Sequence, residues 1–188
     1  MRIILELEAT DLEHFEQAME RANHAVRQID EHDIVEAAKH ALDHLPLADV
    51  PAYVRQRLQQ AQRLLAMIED DAWALPMPER GQVLRTLAYV ADPEDLVADH
   101  IQVIGLLDDA IMLELLLRDQ RHALDAWRDF CAFRNAFDEA PHAAARVRQA
   151  ARLARRRKGL LERMRRRALR DSARAVSVEP GRARRQTA

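Results

Sequence analysis

Four glycines in 188 residues, Gly81, Gly105, Gly159 and Gly181, constrain this chain more than any motif it carries. Tight turns, bulges and phosphate loops draw on glycine's freedom at positive φ. A chain with so few has little means to build a β-sandwich, a barrel or a Gly-rich nucleotide loop. Ala, Leu, Arg, Glu and Gln dominate instead, and all are good helix formers. The expected fold class is therefore all-α, a multi-helix bundle.

Apolar spacing and prolines divide the chain into helices. Thr10 and Glu13 have the spacing of a capping box. Leu12, Phe15, Met19, Ala22, Val26 and Ile29 then recur at three and four, which predicts a helix from about Asp11. Asp33 and Glu36 repeat the capping spacing and predict a second helix over 34–45. Pro46 ends it and Pro51 opens a third, with Val54, Leu58, Ala61, Leu65, Ile68 and Ala72 as its stripe. Pro76 and Pro78 break the chain before a helix over about 79–90. A long helix is expected over about 106–137, facing the core through Ile111, Leu115, Arg118, His122, Trp127 and Phe130. The tail predicts a basic helix over 142–170, with Leu153, Leu160, Leu161, Met164 and Ala168 as a narrow apolar stripe. From Asp171 onward its composition reads as disordered. Ile3, Leu5 and Leu7 alternate with other residues and read as a short N-terminal strand. A lone strand leaves backbone groups unpaired, so a homodimer pairing residues 2–8 is one expectation.

Charge splits the chain more sharply than any motif. Residues 141–188 hold 16 Lys+Arg against 3 Asp+Glu, a balance of +13. Residues 1–140 hold 13 against 28, a balance of −15. We therefore read an acidic helical domain over 1–140 and a basic helix and tail over 141–188. The longest stretch without Asp, Glu, Lys or Arg is eight residues, His100 to Leu107. A membrane-spanning helix needs about 20 mostly apolar residues, so no transmembrane span is expected. The N-terminus has acids where a signal peptide needs an apolar run. The single cysteine, Cys131, makes no internal disulfide. A cytoplasmic location follows as the expectation.

The most distinctive segment runs from Tyr89 to Ala110. It sets Asp92, Asp95, Asp99, Asp108 and Asp109 among apolar residues, with Pro93 and Gly105. It resembles the YkvA-like family, a bacterial domain of unknown function (1232), over about residues 79–118. That family's pattern is Pro-x-Asp-Leu-(Ile/Val)-Pro-Asp, then Gly-x-(Leu/Ile)-Asp-Asp after a few apolar residues. Pro93, Asp95, Leu96, Asp99, Gly105, Asp108 and Asp109 match it, while Ala98 and Gln102 stand where the family has proline. The resemblance implies a compact central Asp-rich helical hairpin and no particular reaction.

The same aspartates have two physical readings. In one they cap and brace helices: Asp92 before Pro93 suits a helix start, and Asp108 and Asp109 suit the positive end of the next helix dipole. In the other, Asp95, Asp99, Asp108 and Asp109 converge on Mg²⁺ or Mn²⁺, with His100 as a further ligand and Arg85 or Arg118 as counter-charge. Hard divalent cations want several carboxylate oxygens. That arrangement would serve a metal-dependent hydrolase or lyase.

Other constellations are weaker. His32-Asp33 resembles the His-Asp pair of metal phosphohydrolases, but Asp33 has a use as a cap. His40 and His44 share a helix face at i, i+4 without the glutamate of a zinc protease. Trp73, Trp127, Phe130 and Cys131 read most simply as core. No catalytic residue and no resident cofactor is expected.

The tail carries the clearest partner signal. Arg155, Arg156, Arg157 and Lys158, then Arg163, Arg165, Arg166 and Arg167, recur about a heptad apart. Phosphates of a nucleic acid would match them. An anionic membrane surface would match them too, aided by Leu160, Leu161 and Met164. The tail has no aromatic residue, which weakens base stacking. The leading reading is a small non-enzymatic regulatory or interaction protein with a polyanion-binding basic tail. The alternative is the divalent-metal hydrolase or lyase.

Overall fold

The computed structural model describes residues 9–44, 51–92, 105–137 and 143–178. Among them are six helices and no strand, so the fold is all-α. The helices are α1 (Ala9–Gln28), α2 (Glu31–Asp43), α3 (Ala52–Ile68), α4 (Glu79–Val90), α5 (Gly105–Asn135) and α6 (Ala143–Val178). The expected strand and dimer at residues 2–8 lie outside the described residues, as does the link of the Asp-rich hairpin, residues 93–104. By packing the chain forms two compact units, Met1–Gln120 and Arg121–Ala188, with the boundary inside α5.

In the first unit α1, α2 and α3 pack around α4. The reason is in α4's sequence, where Val83, Leu84, Leu87, Ala88, Tyr89 and Val90 are all buried. A helix apolar on nearly every side is stable only when neighbours surround it. Thr86, also buried, donates its hydroxyl to the Gln82 carbonyl at 3.3 Å, so no polar group is stranded there. From α3 come Val54, Leu58, Ala61, Leu65 and Ile68, all buried, with Leu64 and Met67 beside them. Ala72, expected in that stripe, lies beyond the helix end and is exposed. Ile29 is likewise 49% exposed, because α1 ends one residue before it.

Two local devices set the joints. Helix α2 starts at Glu31, not near Ile34, because Asp30 is its cap and accepts from the His32 amide at 2.9 Å. Asp33, expected as the cap, sits in the first turn, where its charge suits the helix dipole. After α3, the Asp70 carboxylate accepts from the amides of Ala72 at 3.1 Å and Trp73 at 3.2 Å. That turn drops Trp73 into the core with none of its surface exposed. One residue into α4, Arg80 ties three helices together. It donates from two nitrogens to the Glu31 carboxylate, one bond at 3.0 Å, and to the Ile68 carbonyl at 3.2 Å.

Helix α5 buries Leu113, Leu117, Gln120, Ala123, Ala126 and Phe130. Of the anticipated face, Phe130 is buried and His122 and Trp127 are part-buried, but Leu115 is 40% exposed and Arg118 is exposed. The stretch Leu113 to Leu117 carries four leucines and one acid, so several faces satisfy the same periodicity. Packing chose among them.

In the second unit the end of α5 and α6 run antiparallel. His122 meets Asp171, while Phe133, further along α5, meets Arg156, earlier on α6. Leu160, Leu161 and Met164 are buried. Helix α6 continues to Val178, so the expected disorder from Asp171 onward is corrected for residues 171–178. Asp171 accepts from Arg121 and, at 2.8 Å, from His122 Nε2, which gives the last turns an anchor on α5. The Arg121 guanidinium, with His122 beside it, holds the Asp171 carboxyl below its ordinary value of 3.8. A carboxyl with a depressed folded value stabilises above its unfolded value and loses that contribution as pH falls through the folded one. The anchor is therefore expected to hold from neutral pH down to about pH 4 and to weaken below it. Hydrogen exchange of the last turns of α6 against pH checks this, and Asp171→Asn should remove the acid transition.

Candidate functional site

Helix α6 carries thirteen Lys and Arg against two acids, Glu162 and Asp171, a balance of +11 over 36 residues. At 100° per residue, Arg148, Arg152, Arg155, Arg163, Arg166 and Arg170 fall within an arc of about 80°, and Gly159 falls at its centre. From Arg148 to Arg170 the stripe is about 33 Å long at 1.5 Å per residue. All six arginines are exposed. Like charges at three and four residues repel, so such a stripe costs helix stability unless an anion lies along it. Asp171 points elsewhere, to Arg121 and His122. Glu162 stands at the edge of the stripe.

Beside this stripe lies an open groove of about 550 Å³. It is lined by Arg152, Arg155, Arg156, Arg163 and Arg166, by one acid, Glu162, by Gly159 at its floor, and by Phe133 of α5. The Arg156 guanidinium carbon sits 5.4 Å from the Phe133 ring centroid, a cation–π contact. Arg156 Nε is buried and has no hydrogen-bond partner among the described residues.

Of the eight basic residues expected at a polyanion site, Arg155, Arg156, Arg163 and Arg166 line this groove. Arg157 turns toward the apolar side and is part-buried, whereas Lys158 and Arg165 are exposed on the helix flank, about 100–120° round from Gly159 and outside the groove. Arg167 is exposed and falls outside the arc. The structure adds Arg148, Arg152, Arg170, Gly159 and Phe133. The arginines were available from their three- and four-residue spacing. Phe133 was not, because it belongs to another helix. Leu160, Leu161 and Met164, which a membrane-lying helix would insert, have relative exposures of 2%, 9% and 4%.

The aspartate candidates are placed unevenly. Asp95, Asp99 and His100 lie outside the described residues. Asp108 and Asp109 fall at the start of α5, and their side chains lie outside the description. Among the described residues no three His, Cys, Asp or Glu side chains come together as metal ligands would. Asp92, at the end of α4, accepts from Arg21 Nε of α1 at 2.6 Å. Arg85 is half-buried. His40 and His44 are exposed and stack on each other, ring centroids 4.0 Å apart. Cys131 is part-buried, and its Sγ accepts from the Arg134 guanidinium at 3.5 Å.

Residues 80–115 match the family described as Protein of unknown function (DUF1232). The DUF1232 segment thus begins on the Arg80 clamp, runs the length of the buried helix α4 and ends in α5. It bears out the resemblance drawn from Pro93, Asp95, Leu96, Asp99, Gly105, Asp108 and Asp109. It stops well before α6, so the arginine stripe lies outside the DUF1232 segment. No curated protein and no solved structure matches the chain. Among the described residues no helix is long and apolar enough to cross a membrane.

Proposed function

We propose that this chain is a cytoplasmic interaction protein that holds a polyanion along α6 and catalyses no reaction of its own. The observation that carries the reading is the stripe of six exposed arginines on one side of α6. Each cation that neutralises a phosphate releases a condensed counterion, so affinity falls steeply with salt. The test is binding of labelled oligonucleotides and heparin to the intact protein between 50 and 200 mM salt, beside a variant with Arg152, Arg155, Arg163 and Arg166 changed to glutamine. Log-linear loss with salt, and a much smaller slope in the variant, is the expected result. Absence of binding by the intact protein at the lowest salt would end the reading.

On this reading Asp95, Asp99, Asp108 and Asp109 cap and brace helices. Mn²⁺ or Mg²⁺ then leaves the melting midpoint of the protein unchanged. A ligand of the folded state raises that midpoint. A metal-dependent rise that disappears in Asp95→Asn, Asp109→Asn would therefore move the reading to a hydrolase or lyase.

A further inference from the structure

Gly159 sits in the middle of a 36-residue helix, where glycine is a poor choice. Close packing usually explains such a residue. Here a Cβ built at position 159 would meet no heavy atom within 4 Å, so no described neighbour needs the space. What the missing side chain leaves is a gap in the arginine stripe, at the floor of the groove. Arg155 and Arg163 stand four residues to either side of it, and Arg152 and Arg166 seven. Over the gap's edge lies the Arg156–Phe133 pair, whose buried Nε–H lacks an acceptor among the described residues.

From this geometry, and resting on the polyanion reading above, we infer that the groove seats single-stranded nucleic acid. Phosphates lie on Arg152, Arg155, Arg163 and Arg166. One nucleotide drops over Gly159 so that its base meets the Arg156–Phe133 pair. Unpaired bases stack on aromatic rings and guanidinium planes. A duplex keeps its bases inside and offers the groove only its outer backbone. An anionic membrane would be held by the same charges, but the apolar residues that anchor an amphipathic helix are already buried in the protein.

The decisive variant is Gly159→Leu in the full-length chain, which fills the gap without altering charge. Its partners in the experiment are Gly159→Ala and the wild type. The probes are a fluorescein-labelled single-stranded oligonucleotide as RNA and as DNA, the matching duplex, and phosphatidylserine-containing vesicles, all at low salt. The expected result is tighter binding of the single strand than of the duplex by wild type. Gly159→Leu then loses about tenfold on the single strand, the scale of one stacked base. Its duplex binding falls by less than its single-strand binding, its salt slope stays unchanged, and its melting midpoint is no lower than that of Gly159→Ala. Unchanged single-strand binding by Gly159→Leu would overturn the inference while leaving the polyanion reading intact. So would preference for duplex or vesicles by wild type. Wild type that binds none of the probes would overturn both.

Discussion

Changing Arg152, Arg155, Arg163 and Arg166 together to glutamine is expected to lower affinity for a single-stranded oligonucleotide by roughly two to three orders of magnitude at 0.1 M salt, with the fold unharmed. Each phosphate contact on a single strand contributes about 0.7 to the slope of log K against log salt, so four contacts contribute about 3. The balance of α6 falls only from +11 to +7, because nine other Lys and Arg remain on it. A helix acting as a diffuse cloud of charge would lose binding in proportion to that modest change. A helix acting through one stripe loses most of it, and the fall in slope tells the two apart. Stability should stay within about 0.5 kcal/mol, because all four side chains are exposed. Relief of repulsion between arginines three and four apart acts in the favourable direction. Anisotropy titrations at four salt concentrations give the slope, and circular dichroism gives the fold.

The largest loss of stability is expected from Trp73→Ala. Trp73 is fully buried at the turn between α3 and α4. Removing a buried Trp costs about 3–5 kcal/mol, the transfer of its surface plus the cavity left behind. Against a typical domain stability of about 5–15 kcal/mol that is a large share. For a unit near a hundred residues it corresponds to a melting midpoint lower by roughly 12–20 °C. The Asp70 turn that places the indole is held by its own hydrogen bonds and should survive in the variant. Calorimetry of wild type and variant checks the midpoint. A loss smaller than a few degrees would mean that the turn region is not a working part of the core.

Much of the fold was legible from local chemistry. Helix α4 was expected over 79–90 and is observed over Glu79–Val90, since Pro76 and Pro78 mark its start and its apolar run marks its length. Helix α3 followed from Pro51 and a stripe at three and four. The start of α2 was misplaced because two aspartates, Asp30 and Asp33, both had capping chemistry, and only the backbone at Asp30 has the extended geometry a cap requires. The end of α6 was misplaced because composition read residues 171–178 as free chain, whereas Asp171 is tied to Arg121 and His122 on α5.

The candidate site divides the same way. That six arginines share one side of α6 depends only on their spacing and on the chain being helical there, so the sequence by itself determined the stripe. It also determined the charge split and the DUF1232 segment, because both are properties of residue order. The tertiary structure alone decided three other things. It turned α5 so that Leu113 and Leu117 are buried in place of Leu115 and Arg118; it buried Leu160, Leu161 and Met164, removing them from reach of a membrane; and it brought Phe133 against Arg156, giving the basic helix the aromatic its own sequence lacks. The physical reason is common to all three. Each depends on contacts between residues far apart in the chain, and short-range periodicity carries no information about which of several apolar faces will find a partner.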